Sequence, residues 1–190
     1  ILTVPSTASA LSVTAVSTGN VTFSWTDNAG SEDGFRVLNS TFGILGTVGS
    51  NVTSLSVTNL TPDTLVQAKG VVAFNSACAS KYTATLSSYT LARPPTSPAV
   101  SAVYRISILV SWSTNTNPSS VIYEISQSTD NFVYGPGIST PIPFASSLIS
   151  PYAEIPNLAS GGTYYFRFRA RNSDGVATDF SSSVSGVTRA

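Results

Sequence analysis

Apolar and polar side chains alternate without a slip from Tyr164 to Arg171. Tyr164, Phe166, Phe168 and Ala170 fall on one side, and Tyr165, Arg167, Arg169 and Arg171 on the other. A period of two is the mark of a strand with one face in a core and the other toward water. The turn before it, Ala159 to Gly162, contains two glycines, which reach the positive φ of a tight turn at little cost. A weaker copy of the whole stretch Leu158 to Asn172 runs from Leu60 to Asn75.

The same repetition extends upstream. Val21, Phe23 and Trp25 in V-T-F-S-W correspond to Ile108, Val110 and Trp112 in I-L-V-S-W. Val13 and Val16 correspond to Val100 and Val103, all at an offset of 87 residues. Between Leu60 and Leu158 the offset has grown to 98, so the second copy has gained 11 residues after its tryptophan. The extra length falls in Asp130 to Pro156, which holds Pro136, Pro141, Pro143 and Pro151. Short alternating runs bounded by turn residues predict seven strands per copy, the pattern of a β-sandwich. In the first copy they lie near Ala10 to Val16, Asn20 to Thr26, Gly34 to Asn39, Ile44 to Val48, Ser54 to Asn59, Val66 to Phe74 and Ala84 to Leu91. In the second they lie near Ala99 to Tyr104, Ile106 to Ser113, Val121 to Gln127, Phe132 to Tyr134, Tyr152 to Ile155, Tyr164 to Asn172 and Ser182 to Thr188. No helix longer than a turn is expected. Trp25, Trp112, Leu60, Leu158, Tyr164, Phe166 and Phe168 are the expected core anchors.

The tryptophan in the second run, the L-x-P-x-T turn of Leu60, Pro62 and Thr64, and the aromatic-basic alternation ending in Asn172-Ser-Asp-Gly175 resemble the fibronectin type III domain. The resemblance covers nearly the whole chain. It implies an all-β chain of two immunoglobulin-like sandwiches in tandem, at 1–91 and 99–190, the second with an insertion around 130–156. Thr26 to Val37, T-D-N-A-G-S-E-D-G-F-R-V, resembles the variant common in long extracellular repeat proteins of bacteria. In the family, a tyrosine six residues after the turn leucine hydrogen-bonds back across the corner. Tyr164 fits that place, but the first copy has Val66, so its corner is expected to be locked by packing alone. Asn75 sits one residue further from its leucine than Asn172 does, which predicts a bulge around Gly70 to Phe74. The first domain is therefore expected to be the less stable.

Pro94, Pro95 and Pro98 make residues 92–98 an expected semi-rigid spacer, with the domains end to end. Ile1 to Pro5 looks like the end of a similar linker, and the chain reads as part of a longer array, a mature form or excised fragment.

Composition narrows the chemistry. Across 190 residues, 42% are apolar and only 9% charged, with a formal net charge of zero. That describes a folded chain without the basic footprint of a nucleic-acid binder. There is no apolar run of 18 residues, so no membrane insertion is expected. Histidine is absent and Cys78 is the single cysteine. The imidazole base, the common zinc sets and any internal disulfide are thereby removed, and no cofactor, metal site or enzymatic activity is expected. Asp27, Glu32 and Asp33 share one loop, but without a calcium-loop pattern they read as a solvated turn. Cys78 is either an inert thiol or an intermolecular attachment point. The first copy carries four N-x-S/T sequons, at Asn20, Asn39, Asn51 and Asn59. With so much serine and threonine, about three are expected by chance on the bare spacing rule.

The candidate interaction surface is the ladder of Tyr165, Arg167, Arg169 and Arg171 beside Glu124, together with Cys78. Such a ladder can pair with acidic glycans or carboxylates, or it can be a solvated sheet face. Three readings follow. The first is a non-catalytic spacer or scaffold of an extracellular or cell-surface protein, contacting other protein domains and monomeric in solution. The second is a self-assembling subunit of a surface fibre or sheath, joined through Ser/Thr-rich edges with few lysines to block pairing. The third is a carbohydrate-binding accessory module using Tyr134, Tyr152 and Tyr165.

Overall fold

A computed structural model describes residues 3–190, and Ile1 and Leu2 of the expected opening linker lie outside the described residues. The chain forms two compact units that divide between Thr90 and Leu91. In the first unit the strands are β1 (Ser9–Val16), β2 (Val21–Thr26), β3 (Gly34–Asn39), β4 (Ile44–Gly49), β5 (Ser54–Val57), β6 (Leu65–Phe74) and β7 (Leu86–Tyr89). They build two antiparallel sheets, ordered β1-β2-β5 and β4-β3-β6-β7. The second unit repeats the connectivity with β8 (Thr96–Val103), β9 (Ile108–Ser113), β10 (Ile122–Ser128), β11 (Ser139–Ile142), β12 (Tyr152–Ile155), β13 (Thr163–Arg171) and β14 (Val184–Val187). Its sheets are ordered β8-β9-β12 and β11-β10-β13-β14. Helical structure among the described residues is limited to the 3-10 turns Gly135–Gly137 and Phe144–Ser146.

The alternation explains the cores. In V-T-F-S-W and I-L-V-S-W the first, third and fifth residues are buried, and the second and fourth reach the outer surface of the sheet. Val21, Phe23 and Trp25 meet Phe35, Val37, Val66, Ala68, Val71 and Ala73 in the first unit, with Leu60 packed at the margin. Ile108, Val110 and Trp112 meet Tyr123, Ile125, Tyr164, Phe166, Phe168 and Ala170 in the second, with Leu158 beside them.

Four expectations are revised. Residues 132–134 are not a strand, and the fourth strand of the second unit is β11. Asn131 and Phe132 have positive φ (58° and 63°), so the chain cannot run extended there. The Tyr134 N–H donates to Asp130 Oδ2 at 2.8 Å instead of to a ladder. Residues 92–98 are not a spacer. Ala92 is buried in the second core, and β8 begins at Thr96. The Asn117 carboxamide pairs with both backbone groups of Arg93, at 2.8 and 2.7 Å, as a neighbouring strand would.

The third revision concerns the bulge, which lies one residue before the expected range of Gly70 to Phe74. Gly70 opposes Leu38 and Ala68 opposes Asn39, leaving Lys69 as the extra residue. A Cβ on Gly70 would stand 2.7 Å from the Thr83 carbonyl oxygen. Gly70→Ala is therefore expected to cost the first unit about 1–3 kcal/mol by overpacking, read from its thermal unfolding.

The fourth is the first corner, which is not held by packing alone. The buried Thr90 hydroxyl donates to the Thr61 carbonyl at 2.7 Å and accepts from the Thr64 N–H at 2.8 Å. Thr188 makes the equivalent lock in the second unit, to the Ala159 carbonyl at 2.6 Å and from the Gly162 N–H at 2.9 Å. There Tyr164 adds its own bond, its phenolic oxygen accepting from the Ala159 N–H at 2.9 Å. Tyr164→Phe is expected to cost about 1 kcal/mol, and Thr90→Val about 1–3 kcal/mol, since it takes the hydroxyl partner from two part-buried backbone groups. Denaturant midpoints of the two variants provide the check.

Candidate functional site

The outward residues of β13 form the most chemically loaded surface. Cross-strand register places Arg167 opposite Ser126, Arg169 opposite Glu124 and Arg171 opposite Ile122 of β10. Arg169 Nε donates to Glu124 Oε1 at 2.6 Å, and the Glu124 side chain is only 9% exposed. Three phenylalanines from outside these strands are interleaved with the arginines. The Arg167 guanidinium lies 4.1 Å from the Phe132 ring centroid and 4.0 Å from that of Phe180. Arg169 lies 4.7 Å from Phe180 and 5.3 Å from Phe144, and Arg171 lies 4.7 Å from Phe144. The series Phe132, Arg167, Phe180, Arg169, Phe144, Arg171 is thus one continuous stack. Each cation–π contact contributes about 0.5–1 kcal/mol where exposed and about 2 where desolvated. Burial, followed by the neighbouring Arg169 charge, lowers the pKa of Arg167 from its usual value.

This stack shows what the added residues do. The loop after the third strand grows from residues 40–43 in the first unit to 129–138 in the second, and the loop after the fourth from 50–53 to 143–151. One carries Phe132 and the other Phe144, and both fold back over β10 and β13. Glu124, Ser126 and Ser128, on the outward side of β10, are consequently buried. The base of the first loop is tied down by Ser128, whose hydroxyl accepts from the N–H groups of Asp130 and Phe132 and donates to Asp130 Oδ1. Ser183 Oγ donates to Asn131 Oδ1 at 2.6 Å.

The Ser128 hydroxyl is the main reason the Asp130 carboxyl is held below its ordinary value of 3.8. Burial opposes it, and the N–H groups of Tyr134, Val133 and Phe132 add to it. A pKa depressed by folding gives stability that is present above the unfolded value and lost as pH falls through the folded one. Acidification below the ordinary carboxylate range is therefore expected to loosen residues 128–134, seen as a shift of the Tyr134 amide resonance. Asp130→Asn should abolish that pH dependence.

The other sequence candidates are dispersed. Cys78 is half-buried beside Asn75, its Sγ 3.6 Å from Asn75 Oδ1 and its N–H donating to the same oxygen at 3.0 Å. Asp27 Oδ1 accepts from the Ala29 N–H and Glu32 Oε1 from the Asn51 N–H. Two of the three acidic side chains are thus engaged by their surroundings. Among the described residues no group of three or more potential metal ligands gathers. Tyr134 and Tyr165 belong to the four-stranded sheet and its loop, whereas Tyr152 projects from the three-stranded sheet. The three tyrosines therefore do not form one platform.

Sequence reasoning missed Phe132, Phe144 and Phe180 as partners of the arginines. For Phe132 and Phe144 the signal available was a run with no charged residue from Asn131 to Ala153, unusual for loops that face water; Phe180 lies outside that run.

A two-domain fibronectin type III segment from chicken tenascin has a similar structure, with a TM-score of 0.58 and 17% identity, covering 96% of this chain and 99% of that one. The fold is that of two fibronectin type III domains in tandem. Chicken CNTN1 FN1–FN3 domains match with a TM-score of 0.42 and 20% identity over 98% of this chain and 69% of that one. The fibronectin type III domain of human fibronectin type III domain containing protein 3 matches with a TM-score of 0.42 and 19% identity over 50% of this chain and 84% of that one. No protein-family model matches the chain, and no curated protein matches it in sequence. With this fold the outer face of β13 is partly covered by the chain's own loops, so the ladder read as a receiver of acidic partners has its cations already stacked on phenylalanine.

Proposed function

We propose that this chain is a non-catalytic structural module of an extracellular or cell-surface protein. The observation that carries this reading is the direction of its reactive groups. The arginines of β13 and Glu124 face one another and the phenylalanines of the covering loops, where they fasten a third layer onto a sandwich. Acyl, phosphoryl or glycosyl transfer needs a nucleophile with a base, or paired carboxylates across a groove. The chain has no histidine to serve as that base. Tandem fibronectin type III domains in tenascin fit the same reading by fold, and among the described residues no helix is long and apolar enough to cross a membrane.

The test joins stability to binding. Calorimetry is expected to give two transitions, one per unit, with slow proteolysis at neutral pH. A glycan array together with polysaccharide titration is expected to be blank. Saturable binding of a glycan, or turnover of any ester, phosphate or glycoside substrate, would overturn the reading.

A further inference from the structure

The two units treat the same edge of the sandwich differently. From Val37 to Pro62 the first unit has 26 consecutive residues without a charged side chain. This stretch contains β4 and β5, which end the two sheets. Among the described residues β4, with the sequence I-L-G-T-V-G, pairs with β3 alone. It has no proline or lysine, and Phe42, Ile44 and Val52 around it are 56%, 57% and 40% exposed. Open edges invite pairing and are normally blunted by charge, proline or cover. The second unit does blunt its edges. Its β11 is S-T-P-I, in which Pro141 has no N–H to offer, and its β12 carries Glu154. The loops before and after β11, 129–138 and 143–151, are also longer than their counterparts 40–43 and 50–53 around β4.

We propose that β4 pairs with β4 of a second copy of this chain, antiparallel across a two-fold axis. Such an interface uses one patch twice, so any charge near the axis meets its own like. The residues that would face one another, Gly46–Gly49, carry no charge, and the nearest cations are held against aromatic rings, Arg36 opposite Thr47 lying 4.0 Å from the Phe74 centroid and Lys69 5.6 Å from those of Phe42 and Tyr82, so a second copy is the occupant the surface fits. Leu45 forms a bulge against β3, between the pairs Val37–Gly46 and Leu38–Ile44. The regular segment Gly46–Gly49 is therefore the centre of the pairing, with exposed Thr47 within it. So short an edge gives weak association. The chain is a monomer when dilute and becomes laterally joined where copies are crowded. This goes beyond the structural-module reading and names the contact by which such a module would assemble.

Sedimentation equilibrium of the intact chain from about 10 µM to about 1 mM spans the range of weak specific association, with amide hydrogen exchange measured at both ends. A dimer that grows with concentration is expected, with slowed exchange concentrated in residues 44–49. Thr47→Lys sets two ammonium groups across the axis and is expected to weaken the dimer by at least about tenfold. Ile44→Glu provides a second variant with the same expected direction. Thr140→Lys, on the already blunted β11, is expected to leave association unchanged. A monomer at every concentration, a dimer indifferent to both β4 variants, or protection centred elsewhere would overturn the proposal. None of these outcomes bears on glycan binding or turnover, by which the structural-module reading stands or falls.

Discussion

Replacing Trp112 with alanine is expected to destabilise the second unit by about 3–5 kcal/mol and to leave the first unit's transition in place. The indole is 5% exposed. It stacks on Phe168 with ring centroids 4.5 Å apart and an interplanar angle of 25°, and meets Tyr123 edge-on at 5.4 Å. Alanine removes both aromatic contacts and leaves a cavity between two sheets whose backbones are fixed by their ladders. Trp25 has Phe35 at 5.6 Å as its ring partner, so Trp25→Ala falls in the first unit and toward the lower end of the same range. Each variant should move one of two calorimetric transitions, and amide exchange on β13 or β6 identifies which. An unchanged melting profile for Trp112→Ala would mean that the two sheets are not held by this ring.

Arg169→Ala carries the second large effect, about 2–4 kcal/mol. Breaking a fully buried ion pair from one side costs about 3–5 kcal/mol because the other charge is left in a poor solvent. Glu124 is nearly buried, but the Arg169 side chain is 33% exposed, so water screens part of that cost. The variant also removes the guanidinium that lies against both Phe180 and Phe144. Faster amide exchange in residues 143–147 should accompany the lost stability. Arg169→Lys should fall between the two, since an ammonium keeps the charge but not the planar stacking surface. Combining Arg169→Leu with Glu124→Leu should recover much of the loss, because an apolar pair of similar volume avoids desolvation. A change below about 0.5 kcal/mol for Arg169→Ala, the range of an unremarkable surface substitution, would return the ladder to a solvated sheet face.

Much of the architecture was legible in the sequence because a strand's period is a local property. Each residue's side is fixed by its neighbours one and two positions away, and a one-residue slip would turn the whole set over. V-T-F-S-W, I-L-V-S-W and T-Y-Y-F-R-F-R-A-R therefore announce their strands, their buried faces and the internal repeat without reference to anything distant. The constant offset of 87 residues and its later growth to 98 likewise locate the added length. The same locality explains the error at residues 132–134. Phe132-Val-Tyr134 reads as a short β run, but the backbone there is decided by Asp130, Ser128 and the following Gly-Pro-Gly.

The interaction candidates were the part that local pattern could not decide. An alternating arginine says only which way it points, and its partner belongs to whichever segment arrives over that face. Phe132 and Phe144 reach Arg167 and Arg171 through loops that leave the third and fourth strands, and Phe180 arrives from beyond β13. Thr90 and Thr61 lie 29 residues apart, and Arg93 and Asn117 lie 24 apart. No periodicity connects such pairs, so the first corner read as apolar and residues 92–98 as a spacer. The sequence by itself determined two sandwiches, their strands except the fourth of the second unit, and their tryptophan-centred cores. The tertiary structure alone decided that the charged face of β13 is partly covered by stacked phenylalanines and that β4 is left as an open edge. Both depend on which loops are long enough to fold back, and so on contacts between residues far apart in the chain.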